Sequence, residues 1–439
     1  MSVSPQPTGS RHIPFPAVAP ELEPVKPARS RVDSIDLLRG IVMVIMMLDH
    51  TRDFVHNAAL QFDPLDLSQT NGWLFFTRWT THFCAPVFVF LAGTGAYLQF
   101  ARGKSKGELS RFLISRGLWL ILLEFTVVRF GVTFSADPRM LGFVQVIWVI
   151  GVSMIVLALL IHLPLRVIGL FGLVMVALHN LLDHLTVQGW QGPGTPVPGL
   201  GAKLWIILHQ QGGFPIAGFP SPLLFVAYPL IPWVGVMAVG YAFGALYQVE
   251  AQLRRRLLLA IGGIVSAFFI TMRFANFYGD SARWSQQKNA LFTLMSFLNT
   301  TKYPPSLLYL LMTIGPAIMA LALFEAKSTA QGAQAPQRSQ GSWLRNALVT
   351  FGRVPLFFYL LQWYTAHLIS ILLHVAFGKP VKWLFQTPID WFGAPHPGIG
   401  FNLAVVYASW LAGVVLVYPL CKWFAGVKQR RRDWWLSYL

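Results

Sequence analysis

Charge is what this chain has least of. Asp, Glu, Lys and Arg make up only 12% of its 439 residues, about half the share in a soluble globular chain. With hydrophobic residues at 55% and a mean hydropathy of +0.54, that shortage excludes a secreted scaffold, a disordered chain and an ordinary cytosolic enzyme. Cysteine is scarce as well. Cys84 and Cys421 stand alone inside apolar runs, so neither a disulfide framework nor a cysteine-based zinc site can be assembled, and no metal is expected. Acidic residues number 17 against 34 basic ones, a net charge of +17. In a soluble protein that balance would point to nucleic acid. Here the cations fall between apolar runs, which is the pattern of a membrane protein, so the expected partner is the lipid bilayer and not nucleic acid.

A hydrocarbon core about 30 Å thick is crossed by about 20 apolar residues rising about 1.5 Å each. That measure predicts ten helices, near 36–56, 73–100, 111–131, 142–162, 165–183, 222–247, 255–275, 304–325, 354–377 and 401–423. The expected fold is an all-α polytopic membrane helix bundle. With the N-terminus inside, the inward segments hold 21 Lys and Arg and the outward ones seven, so both termini are expected in the cytosol. Residues 1–34 carry seven prolines and no apolar run, and read as a disordered cytosolic tail and not as a signal peptide. Residues 35–424 are expected to form the transmembrane domain, with a cytosolic linker at about 327–345, and 425–439 a basic cytosolic tail. Two outward loops, 184–221 and 274–303, are long enough to cap a site from the outer side.

Ionisable residues at membrane depth are costly, and each one is a candidate for function. The first helix carries Arg39 near its start and Asp49-His50-Thr51-Arg52-Asp53 toward its outer end. Arg39 and His50 are eleven residues apart, about three turns and roughly 16 Å, on one face. Asp53 is three residues beyond His50, a spacing from which its carboxylate can orient the imidazole. Asp49 points away from His50. The second helix brings Arg78 and His82 in from the outer side, to a depth close to that of His50. Glu124, Arg129, His179, Asp183 and His367 fall in the same outer half, which suggests an internal polar cavity. Each has a plainer alternative. A buried His or Arg can simply bond a neighbouring helix, Glu124 can pair with an arginine, and Arg78, Arg129 and Arg273 near helix ends can snorkel to the interface.

The run Ser34-Ile-Asp-Leu-Leu-Arg39-Gly40 followed by His50 resembles the opening of the transmembrane acyltransferases. Further runs resemble the bacterial branch of the heparan-α-glucosaminide N-acetyltransferase catalytic-domain family: His82 to Gly93, Gln145 to Met154, Tyr228 to Gly235, Lys302-Tyr-Pro-Pro-Ser306, Gly352 to Tyr359 and Tyr364-Thr-Ala-His367. The resemblance implies an acetyl-CoA or other acyl-CoA donor bound from the cytosol and a sugar or glycoconjugate acceptor reached from the other face of a plasma (bacterial inner) membrane. The heparan-type enzymes carry a proposed catalytic histidine in the loop after the first helix. Residues 57–72 contain none, so His50 takes that part, with His56 and His82 as rivals.

On this reading His50 and His82 are the catalytic imidazoles, with Asp53 or Asp49 fixing the tautomer. Arg39, Arg102, Arg111 and Arg353 bind the donor's phosphates, and Arg78, Glu124, Lys302 and His367 face the acceptor. An extended pantetheine arm of about 15–20 Å matches the Arg39–His50 rise. The competing readings are a proton-coupled transporter or flippase that uses the same buried charges, and a non-catalytic membrane partner held together by them. Direct transfer and an acyl-histidine intermediate both remain open, as does a homo-oligomer.

Overall fold

The computed structural model describes residues 32–218, 221–332, 343–391, 397–431 and 433–438. Helix accounts for 71% of it. Helix α1 (Asp33–Val55) begins with Asp33 and Asp36 in its first turn, where acidic groups complement the helix dipole. Helices α2 (Gly72–Thr80) and α3 (Cys84–Ala101) form one rod through a 3₁₀ turn at Thr81–Phe83. Helix α4 (Lys106–Leu123), opened by a Ser105–Glu108 capping box, runs through a π turn at Glu124–Val128 into α5 (Arg129–Thr133). Then come α6 (Val146–Leu160), α7 (Leu165–Leu178), the short α8 (Leu200–Leu208), α9 (Leu230–Phe243) and α10 (Ala251–Ala275). The remainder is α11 (Ala290–Leu298), α12 (Leu307–Gly332), α13 (Trp343–Arg353), α14 (Pro355–Ala376), α15 (Pro388–Trp391) and α16 (Leu403–Arg430).

Seven of the helical stretches are long and apolar enough to cross a membrane, from Gly72–Ala101 to Leu403–Arg430, and the 15-residue α6 is a shorter apolar helix. Two expected spans, α1 and α4–α5, form as helices but carry too many charges for that apolarity test. These two helices also supply Arg39, Asp49, His50 and Glu124. Neither faces lipid with those residues. α1 is the central helix of the bundle, packed against α3, α12, α13, α14 and α16, with Asp36, Asp49, His50 and Arg52 all buried.

Several expected boundaries move. Residues 142–144 and 223–226, read as helix starts, lie in strands β1 (Met140–Val144) and β3 (Leu223–Val226), paired in parallel, with β2 (Gly212–Pro215) antiparallel on the other side of β3. Short apolar runs do not distinguish strand from helix by periodicity, and Pro229 starts α9 only after the strand. The small sheet ties the segment before α6 to the one before α9. Helix α12 continues to Gly332 and α13 starts at Trp343, so helix enters the expected linker from both ends. Residues 333–342, like 1–31, lie outside the described residues.

One face, called basal here, gathers the start of α1 and the segment after α16. Arg353 at the end of α13 meets Asp33 at 3.7 Å, and Arg254 at the start of α10 pairs with Glu325 on α12 at 2.9 Å. The Tyr247 ring lies under the Arg254 guanidinium, its centroid 5.4 Å away, and within electrostatic reach of Glu325 and Arg39, and the Tyr438 hydroxyl bonds Ser115 of α4 at 2.7 Å. Close backbone contacts hold the centre. A Cβ at Gly40 would lie 1.8 Å from the Leu348 carbonyl oxygen, and one at Gly352 1.7 Å from that of Asp36, so α1 and α13 touch through glycine.

Candidate active site

Asp49 is the hub of a buried ion network. Arg78 Nη1 donates to its two oxygens at 2.9 and 2.6 Å, and Arg52 Nη1 lies 2.8 Å from Oδ1. Arg52 turns its second nitrogen to Asp53 at 2.5 Å, and the Asp53 side chain is half exposed. Both carboxylates are therefore committed to guanidinium groups. Asp53 faces Arg52 and does not orient His50, and Arg78 is buried on Asp49 instead of snorkelling.

His50 lies flat on Trp363 of α14, ring centroids 3.6 Å apart and planes 19° from parallel, with Tyr359 edge-on at 6.5 Å. Its Nδ1 is buried and has no hydrogen-bond partner among the described residues. His82 is fully buried at the α2–α3 joint, and the joint has a local cause. Pro86 has no N–H to give the carbonyl four residues back, so the His82 carbonyl is released from the helix and accepts the Tyr309 hydroxyl at 2.9 Å. The His82 ring places Nδ1 3.2 Å from the Arg78 carbonyl, while Nε2 is buried and unpartnered. Nδ1–H donating to that carbonyl leaves the Nε2 lone pair as the proton acceptor.

Lys302 is only 7% exposed, has no carboxylate partner among the described residues, and packs over the Tyr303 ring at 5.3 Å. It lies within electrostatic reach of Asp49, His50 and His82. Its loop is anchored by Asp280, which accepts from the Thr301 backbone at 2.9 Å and from the Thr301 and Ser306 hydroxyls at 2.7 Å each. His50, His82, Asp49, Arg52, Arg78 and Lys302 thus converge. Its three cations face two carboxylates, of which Asp53 is partly in solvent.

The other expected site residues take different partners. His367 is sandwiched between Phe54 and Phe134, centroids 4.5 and 4.0 Å away, with its nitrogens 3.0 and 2.7 Å from the carbonyls of Gly131 and Leu384. It pins chain segments and does not face the convergence. Among the described residues Glu124 is paired with no arginine, and it lies within electrostatic reach of Tyr359. Its Oε2 accepts the Trp148 N–H at 3.1 Å at the start of α6, and Oε1 is buried without a partner. His56 accepts the Ala58 N–H at 3.1 Å in the turn after α1. His179 bonds backbone carbonyls, and Asp183 pairs with His209 at 2.9 Å in a separate cluster. Arg129 is held by the carbonyls of Met140 and Asp137, and Arg273 by those of Phe297, Ala282, Ser296 and Asn299, so neither snorkels.

At the basal face Arg39 Nη2 donates to the Leu91 carbonyl at 3.1 Å, and Gly95 gives it room, since a Cβ there would lie 3.2 Å from that nitrogen. Arg116 of α4, a residue sequence reasoning did not put in the site, comes close to Arg39. Arg102 and Arg111 are exposed where α3 and α4 meet solvent, and Arg353 is half-buried against Asp33.

Sequence reasoning also missed the polar face of α14. Tyr359, Gln362 and Trp363 are buried there, and Gln362, a lone amide in an apolar run, was the available signal. A family model described as heparan-alpha-glucosaminide N-acetyltransferase, catalytic, matches residues 31–273, which take in α1 to α10 with Arg39, His50, Arg78, His82 and Glu124. No curated protein matches the chain. The match spans more than half of the 439 residues, so the chain belongs to this family of membrane acetyltransferases.

Proposed function

We propose that the protein moves an acyl group, acetyl in the first instance, from cytosolic acyl-CoA to a sugar or glycoconjugate on the far side of the plasma membrane. The basal face is then cytosolic. What carries the reading is the His50 imidazole, buried on Trp363 with Nδ1 unpartnered, about 16 Å along α1 from Arg39. Arg39 and Arg116 at the basal end, with Arg102, Arg111 and Arg353 around the rim, receive the phosphates of CoA, and the pantetheine arm follows α1. The thioester arrives at His50. The acceptor enters from the distal side past Arg78 and Lys302, whose positive charge favours an acceptor carrying negative groups.

In the reaction the acceptor hydroxyl or amine attacks the thioester carbon while His50 takes its proton. The carbon–sulfur bond then breaks, and the departing CoA thiolate recovers that proton. His82, with its Nε2 lone pair free, is the alternative base. Acetyl-CoA binding and CoA release by the purified protein, supplied with crude cell-envelope glycans, test the scheme. Wild type is expected to bind and turn over, Arg39→Ala to bind weakly, and His50→Ala to bind without releasing CoA. Loss of turnover in His82→Ala alone would move the base to His82. Absence of acyl-CoA binding by wild type would sink the scheme in favour of transport through the buried charges.

A further inference from the structure

Helix α14 carries polarity that the bundle leaves unsatisfied. Gln362 is 0% exposed, and neither its amide nitrogen nor its amide oxygen has a hydrogen-bond partner among the described residues. The Tyr359 hydroxyl, one turn earlier on the same buried face, meets no full hydrogen-bond geometry either; the Trp363 indole N–H is its nearest donor and the Glu124 carboxyl lies within electrostatic reach. Packing does not account for this. A buried amide with nothing to bond is worse than a leucine of similar volume, and a membrane bundle offers it no bulk water. Such a group makes sense where a ligand completes it.

The position of these groups says which part of the ligand they meet. Trp363 stacks on His50, and Tyr359 stands edge-on to the same imidazole at 6.5 Å. Tyr359 precedes Trp363 by four residues on a helix that starts at the basal face, so the orphan hydroxyl lies on the donor side of His50. The cations Arg78 and Lys302 belong to α2 and to the loop before α12. The α14 groups are neutral, and together they offer O–H and N–H donors beside a base. Acyl transfer needs that combination where a carbonyl oxygen gains negative charge.

Resting on the acyl-CoA reading above, we propose that the Tyr359 hydroxyl and the Gln362 amide N–H hold the carbonyl oxygen of the thioester and stabilise the oxyanion formed on acyl transfer. As the acceptor oxygen or nitrogen bonds to the carbonyl carbon, its proton passes to His50 and the carbonyl π pair moves onto the oxygen held by α14. That pair returns as the carbon–sulfur bond breaks, and the thiolate takes the proton from His50.

The test compares acetyl-CoA with S-ethyl-CoA, a thioether that keeps the whole arm but lacks the carbonyl oxygen, on the full-length protein in detergent. Wild type is expected to bind acetyl-CoA several-fold tighter, on the order of the 2- to 10-fold that a neutral hydrogen bond confers. Tyr359→Phe and Gln362→Leu should bring that ratio toward one. Each should also lower kcat roughly 100-fold while changing the KM for acetyl-CoA far less. Melting no lower than that of wild type in both variants separates this from a folding defect. Discrimination that persists in both variants, or a kcat left intact, overturns the proposal. A raised KM for the acceptor with donor discrimination preserved overturns it too, by giving α14 to the acceptor. Wild type that binds neither CoA compound removes the donor reading itself, an outcome distinct from binding both equally, which removes only the α14 assignment.

Discussion

Asp49 holds two buried guanidinium groups, and removing its charge should cost more than removing either partner. Its side chain is 11% exposed, Arg78's 12% and Arg52's 5%. In Asp49→Asn, Arg78 loses its carboxylate and keeps only neutral acceptors, the new amide oxygen, the Tyr303 hydroxyl and the Thr81 hydroxyl at 3.4 Å, while Arg52 retains Asp53. One buried cation is stranded, and breaking a buried pair in this way costs about 3–5 kcal/mol. Arg78→Gln leaves Asp49 on Arg52, so its cost should be nearer that of a charge-assisted hydrogen bond, about 1.5–3 kcal/mol. In the double variant the stranded cation is gone, and the combined loss should fall short of the sum by roughly 1–3 kcal/mol. Melting or denaturant midpoints of the four proteins in one detergent give the cycle. Arg78→Gln matching or exceeding Asp49→Asn, or strict additivity, would refute the hub. The same geometry gives Asp49 no part in setting the His50 tautomer.

Gly40→Ala and Gly352→Ala should each destabilise by roughly 1–3 kcal/mol or more, because the new methyl meets a backbone oxygen at 1.8 and 1.7 Å and α1 must part from α13. Gly107→Ala, with nothing within 4 Å in the first turn of α4, is the control and should be neutral or slightly stabilising in the same melt. Arg273→Met strips four carbonyls of their donor, and limited proteolysis should then cut between Asn276 and Asn299 while the spanning helices stay intact; resistance equal to wild type would count against the anchor. Ligand-free Gln362→Leu should melt at or above the wild-type temperature, a gain of about 1–3 kcal/mol at most, since it removes two unpaired buried groups; a clear loss would mean that Gln362 has a structural partner.

How far the sequence announced this site depends on what kind of signal each residue left. Arg39, Asp49, His50, Arg78 and His82 stood out because charge or imidazole at membrane depth is costly, and the meeting of the last four, with Arg39 about 16 Å away, followed from rise per residue along two helices. The glycines of the quoted runs, Gly40, Gly93 and Gly352, were legible only as letters. Their use appears in the packing, where Gly93 meets the Met237 carbonyl as Gly40 meets that of Leu348. What stayed hidden was partner choice. Helical spacing permits Asp53 to reach His50, and it equally permits Asp49 to reach Arg52. A guanidinium next door offers a charge-assisted bond that a neutral imidazole does not, so both carboxylates went to arginine. The same competition sent Glu124 to the open N–H groups at the start of α6 and kept it from an arginine. The imidazoles were left over, His50 with Nδ1 and His82 with Nε2 unsatisfied. Asp49 and Asp53 are paired while Lys302 and the two imidazoles keep free bonding capacity, and in a bundle where unpaired polarity is expensive that is the capacity the proposed acyl transfer draws on.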